Sequence, residues 1–317
     1  HVLLFGETDQ TALLDRHALA VVLVARNGLL FLAAWEVMAL SAYFLVAADG
    51  SSREARDAGR LYLFATHVST LVLFGFFAQL RFLSPSTELV ALPAGVAGTR
   101  AGTALFLLAL VGFGLKAGLL PFHVWLPPAH AAAPAHVSAL MSGVLIKTGI
   151  YGLVRITSLV PDPPAAWGDT LLLLGCASAV LGVAFALGQH DLKRLLAWHS
   201  VENIGIIVLG LGLGLAGRAA GRPEWALLGF AGGLFHVVNH GLFKPLLFLG
   251  AGEAVHVAGT RDMDRMGGLA RLLPRTSLLF VAGAVAISGL PPLNGFASEW
   301  LVYLGLFDRA RASGADA

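Results

Sequence analysis

The stretch FGLKAGLLPFHVWLPPAH, Phe113 to His130, begins like the end of a membrane-spanning helix and then departs from one twice. Lys116 stands inside an apolar run, and Pro121, Pro127 and Pro128 follow within a few residues. A proline removes a backbone donor and interrupts a helix. An ionised side chain at the centre of a bilayer costs at least about 2.5–3.5 kcal/mol. An amine beside a helix break in a lipid-soluble segment therefore calls for a function.

The rest of the chain supports the membrane reading. Of its 317 residues, 57% are hydrophobic and 13% charged, with a mean hydropathy of +0.77. A soluble domain carries about 25% charged residues, so an all-α, polytopic protein of the lipid bilayer is predicted. The net charge of +2 is small and scattered, which argues against a nucleic-acid partner. The single cysteine, Cys176, excludes an internal disulfide and any Cys-rich iron–sulfur or zinc cluster. The chain starts at His1 and not at Met, so further sequence is expected before it and nothing follows about a signal peptide.

A bilayer core needs roughly 20 apolar residues per helix. Eight runs qualify: 29–47, 61–83, 103–120, 137–159, 170–187, 195–217, 227–257 and 276–306. Lipid offers backbone groups no partner, so these are helices and not strands. Before them, Ala18 to Ala25 reads as the end of a truncated span, and Asp15, Arg16 and His17 speak against a full helix there. The loops after the first, third, fifth and seventh runs hold nine basic residues, against five in the opposite interior loops or span ends. The positive-inside rule then puts SSREARDAGR, QHDLKR and GTRDMDRMGGLARLLPR in the cytoplasm.

A faint internal repeat runs through the chain. AGLLPFHVWLP at 117–127 aligns with SGLPPLNGFAS at 288–298, an offset of 171. Near that offset Glu36 meets Glu202, and His67 meets His236 or His240. Five runs separate equivalent helices, and an odd number inverts the second copy. Paired Pro/Gly-interrupted segments in two halves are a sequence pointer to a transporter's ion pathway.

The basic residues are sorted by type. All 17 arginines lie in loops or near run ends, whereas three of the four lysines, Lys116, Lys147 and Lys244, lie within apolar runs. Arginine stays charged at any accessible pH, while a desolvated lysine can give up its proton. A chain that loads and unloads protons needs the lysine. Glu36 sits mid-run, Glu202 follows His199, and Glu299 follows the second break. His236, His240 and Lys244 are spaced i, i+4, i+8 and share one helix face. Pro245 then frees a backbone carbonyl. A hydrated polar axis inside the bundle accounts for all of these groups together.

Blander readings stand beside these. Lys147 taken alone is equally well a buried ion pair or an interfacial side chain, and Glu36 could be a static packing carboxylate. His67 and His136 read equally as ordinary hydrogen-bonded or interfacial residues. His236 and His240 have the spacing of a zinc pair, but HVVNH lacks the metalloprotease glutamate and a third ligand, so no metal is assigned. Gly212, Gly214 and Gly217 fit G-x-G-x-x-G without a preceding strand, and are read as helix-packing glycines.

At these residues the chain resembles the antiporter-like proton-translocating subunits shared by respiratory complex I, Mrp antiporters and membrane-bound hydrogenases. The likeness rests on FLAAWEVMALSAYFL, GFGLKAGLLPFHVWLPPAHAAAPAHVSALMSGVLIKTGIYGLVRI, HDLKRLLAWHSVENIGII, FHVVNHGLFKPLLFLGAG and ISGLPPLNGFASEWL. AWHSVENIGII and GTRDMDRMGGL are most similar to the hydrogenase-4 and formate hydrogenlyase branch.

The resemblance implies two inverted five-helix repeats with discontinuous helices, the second incomplete. The expected division is 1–28 as the end of a preceding helix or loop, 29–159 as the first repeat and 160–317 as the second. Matched residue by residue, Glu36 and Lys116 form the carboxylate–lysine pair of the first half-channel. Lys147 and His136 continue the axis, and His236, His240 and Lys244 form its second half. Glu299 is expected to face Lys244 from beyond a break within 290–296, while His67, His199 and Glu202 are accessory. Implied partners are other membrane subunits and a peripheral redox arm, in the cytoplasmic membrane of a prokaryote. No cofactor is expected in this chain. An Mrp-type cation/proton antiporter subunit and a non-transporting assembly scaffold are the alternatives.

Overall fold

The computed structural model describes residues 2–48, 52–84, 86 and 88–315. The chain divides into two compact units, His1–Pro161 and Asp162–Ala317. Both are helical, and the only β-type pairings among the described residues are two isolated bridges, Asn27 with Glu88 and Asp191 with Asp262.

The first unit is built from α1 (Val2–Val24), α2 (Gly28–Val46), α3 (Arg53–Leu83), α4 (Arg100–Ala117), α5 (Leu126–Ala132), α6 (Ala135–Leu140) and α7 (Ile146–Ser158). Short polar side chains start three of them by accepting from otherwise orphaned N–H groups. Asn27 caps α2 through the N–H groups of Leu29 and Leu30, Ser52 caps α3 through Ala55, and Thr99 caps α4 through Gly102. No full helix was expected before Ala18, but α1 runs unbroken through Asp15, Arg16 and His17. Successive helical residues point about 100° apart. Asp15 therefore turns into the bundle while Arg16 and His17 stay exposed, and none of the three interrupts the helix.

The second unit holds α8 (Ala165–Leu187), α9 (Leu192–Ala219), α10 (Pro223–Ala258), α11 (Leu269–Leu272), α12 (Pro274–Ile287) and α13 (Asn294–Ala315). Asp191 caps α9 through the N–H groups of Lys193 and Arg194. Pro223 and Pro274 open α10 and α12 at positions where no donor is needed. Pro245 lies within α10 without ending it.

Seven helical segments among the described residues are long and apolar enough to cross a membrane, against the eight runs predicted. They are α2, α3, α4, the continuous Ala135–Ser158 segment, α8, α9 and α10. The missing one is the run 276–306. It is cut by a break, which leaves α12 only 14 residues long.

Small residues set the closest contacts of the second unit. Helices in lipid associate through tight packing and not through the hydrophobic effect, which favours glycine where backbones meet. A Cβ added at Gly175 would lie 2.7 Å from the backbone nitrogen of Leu209, and one at Gly212 would lie 2.7 Å from that of Leu172. Gly214 receives the Phe230 ring in the same way. The glycines that mimic a nucleotide-binding motif are thus packing residues. Gly175→Leu is expected to push α8 from α9 and destabilise the unit by about 1–3 kcal/mol. Thermal unfolding of the detergent-solubilised protein would register this, and an unchanged midpoint would contradict the packing account.

Candidate functional site

The site of the first unit is organised by the end of α4. Gly118 takes a left-handed conformation (φ 73°) and stops the helix one residue after Ala117. The chain then turns until Leu126 opens α5. A helix end inside lipid leaves carbonyls without partners. Trp125 answers one of them, its Nε1 donating to the Leu115 carbonyl at 2.7 Å. Pro127 and Pro128 fall in the first turn of α5, where a missing donor costs nothing, so the interruption belongs to Gly118 and Pro121.

Lys116 sits at this break with 2% of its surface exposed. Its Nζ donates to the Tyr62 hydroxyl at 3.1 Å and lies 5.5 Å from the Tyr62 ring centroid and 5.8 Å from that of Trp35. Aromatic faces stabilise an ammonium group electrostatically without neutralising it. Glu36, on α2, makes no ion pair with Lys116. One of its oxygens lies 3.1 Å from His67 Nε2 and the other accepts from Thr70 Oγ1 at 2.7 Å. The carboxylate is 30% exposed, so it stands between the buried amine and the outer surface of the helix bundle.

Lys147 follows a single π-helical turn, Met141–Leu145, that links α6 to α7. Such turns dislocate the regular carbonyl ladder and recur at functional positions. Lys147 Nζ donates to the carbonyl of Ser142 in that turn. His136 is exposed at the start of α6, whereas His130, absent from the sequence-based set, is fully buried in α5.

In the second unit Lys244 is fully buried and donates to the Leu196 carbonyl of α9. His236 Nδ1 lies 2.9 Å from Ser298 Oγ and Nε2 lies 2.9 Å from Asn203 Oδ1. Both ring nitrogens are thereby engaged within the protein. Asn239 donates to Ser298 Oγ at 2.9 Å and to the Asn294 carbonyl at 2.7 Å. A polar chain of Asn203, His236, Ser298, Asn239 and Asn294 thus ties α13 to α9 and α10. Sequence reasoning missed four of its five members, because single amides and hydroxyls in apolar runs carry no distinctive spacing.

The second break runs from Ser288 to Leu293, two residues earlier than expected, and Gly289 (φ 61°) stands 171 residues after Gly118 in the same left-handed conformation. Glu299 lies one turn into α13 and folds back over this glycine, where an added Cβ would be 2.6 Å from Oε2. It makes no ion pair with Lys244, the group it was expected to face, and Glu202 of α9 lies within electrostatic reach of both. Glu202 is bonded to His199 on the same helix, one turn earlier. Near the start of α9, the His190 and Asp264 side chains meet at 2.7 Å and Arg261 and Asp191 at 3.2 Å. QHDLKR and the loop before α11 therefore lie together.

Residues 25–312 match the family described as NADH:quinone oxidoreductase/Mrp antiporter, transmembrane. The chain belongs to this family. Hydrogenase-4 component B of Escherichia coli K12 is 42% identical over 297 residues, covering 93% of the chain and 44% of that protein. Formate hydrogenlyase subunit 3 of the same organism is 39% identical over 284 residues, covering 90% and 46%. The chain spans about half the length of the curated relatives it matches. Among solved structures, the Mrp complex from Dietzia sp. DQ12-45-1b superposes with a TM-score of 0.86 at 26% identity, over 96% of the chain and 56% of that protein. The chain is a multi-pass integral membrane protein.

Proposed function

We propose that this chain is the antiporter-like, proton-translocating part of a membrane subunit in a respiratory-type oxidoreductase complex, of the hydrogenase-4 or formate hydrogenlyase kind. The observation that carries this reading is Lys116, a buried amine held by a phenol at a helix break, with ionisable carboxyl groups close by. An ionised carboxylate nearby keeps the lysine protonated. When that carboxylate is protonated or withdraws, desolvation favours the neutral amine and the proton leaves. Lys244, with Glu202 in electrostatic reach, is a second buried amine of this kind, held by a carbonyl within a continuous helix. Redox chemistry in a peripheral arm of partner subunits supplies the bias, and this chain itself contributes no cofactor. The residence is the cytoplasmic membrane of a prokaryote.

The test is to energise inverted membrane vesicles holding the complete complex with its electron donor and to measure internal acidification. Acidification that tracks electron transfer supports the reading. Equal electron transfer without it contradicts the reading.

The TM-score of 0.86 to an Mrp complex favours a second reading, cation/proton antiport without electron transfer. Vesicles given a sodium or potassium gradient and no electron donor decide between the two, since only an antiporter moves protons there.

The topology has its own test. The joined segments around Asp191 and Asp262 are placed on the cytoplasmic side by their basic residues. A cysteine at Arg265 is expected to resist an impermeant thiol reagent added to intact cells and to react in inverted vesicles. Labelling from outside intact cells would refute the orientation.

A further inference from the structure

Asp15 lies in α1, ahead of the residues matched by the family, and its side chain is fully buried. Ser41 of α2 donates to its Oδ1 at 3.0 Å, while Oδ2 is buried with no hydrogen-bond partner among the described residues. A buried carboxylate oxygen without a donor is costly, and such groups persist where a function retains them. Ser41 shares α2 with Trp35, over whose ring Lys116 Nζ sits at 5.8 Å. Asp15 and Glu36 both lie within electrostatic reach of Lys116 and Tyr62. Glu36 is the more exposed of the two, with its oxygens already engaged by His67 and Thr70.

We propose that Asp15 is the inner proton acceptor for Lys116, with Ser41 holding one oxygen so that the other is free to take the proton. The inference rests on the reading of the chain as a proton-translocating subunit and deepens it. In the transfer, one N–H bond of the Lys116 ammonium breaks and one O–H bond forms on Asp15 Oδ2. An ammonium–carboxylate pair becomes an amine and a carboxylic acid, with the total charge of the pair unchanged. Tyr62 holds Nζ through its hydroxyl at 3.1 Å. Glu36 remains the outer group, through which the pair exchanges with His67. The charged groups that bear on Asp15 are Lys116 on α4 and Arg16 beside it on α1, while Tyr62 on α3 lies within reach of both Asp15 and Glu36 of α2. From α7, Tyr151 and Arg155 bond the carbonyls of Leu23 and Ala25, two turns or more from Asp15.

The test compares Asp15→Asn, Asp15→Glu and Lys116→Ala in the full-length subunit within its assembled complex, reading proton translocation at matched electron-transfer rates. Asp15→Asn keeps the size of the side chain and the bond from Ser41 but cannot take a proton. It is expected to lose translocation by roughly tenfold or more. Asp15→Glu is expected to retain a substantial part and to shift the pH profile of translocation, which a merely structural carboxylate would leave in place. Loss in Lys116→Ala with wild-type translocation in Asp15→Asn overturns this proposal alone. Wild-type translocation in both variants overturns the proton-translocating reading itself. If Asp15→Asn does not assemble, the Asp15→Glu profile decides, and an unshifted profile overturns the proposal.

Discussion

Lys116→Arg is expected to stop coupled proton transfer as completely as Lys116→Ala, although arginine keeps the positive charge. The amine is buried against Tyr62 and Trp35, with 2% of its surface exposed. A fixed cation there would serve a structural role as well as lysine does. A proton carrier must instead become neutral in each cycle, and a guanidinium does not release its proton at accessible pH. The loss in both variants is expected to be roughly tenfold or more, with the complex still assembled on native gels. An arginine variant that translocates at the wild-type rate would remove the loading role from Lys116 and leave it a structural charge.

The second large effect is expected at Lys244. This side chain is fully buried and bonded to the Leu196 carbonyl, and the carboxylate within electrostatic reach is Glu202. Lys244→Ala and Glu202→Gln are expected to lower translocation by roughly tenfold or more each, with little further loss in the double variant. Residues acting as one unit are non-additive, so the double variant separates a working pair from two independent structural contributions. Multiplied losses in the double variant would contradict the pairing. Glu299→Gln is the contrast. Its carboxyl folds over Gly289, so its loss should act on the break and not on Lys244.

The parts of this site that were legible in the sequence are those with strong local chemistry. A lysine in an apolar run has few ways to be stable, and Lys116, Lys147 and Lys244 are all buried as their placement predicts. Proline and glycine in a membrane run likewise announce an interruption, and both breaks fall where Gly118-Pro121 and Gly289-Pro292 stand. Partnerships across helices were less legible. Glu36 and Lys116 were expected to pair, yet Glu36 bonds His67 and Thr70 while Lys116 bonds Tyr62. Helix rotation decides such contacts, and the rotation is set by packing that no local spacing encodes. Asp15 was passed over because Asp-Arg-His resembles a loop. On a helix those three residues face different directions, and one of them faces inward.

In the proposed cycle Lys116 exchanges a proton during turnover. Protons moved per electron, measured in vesicles containing the complete complex with either wild-type chain or Lys116→Arg, test it most directly. The account predicts a lower ratio for the variant at an unchanged rate of electron transfer per assembled complex. An identical ratio in the two preparations would contradict it.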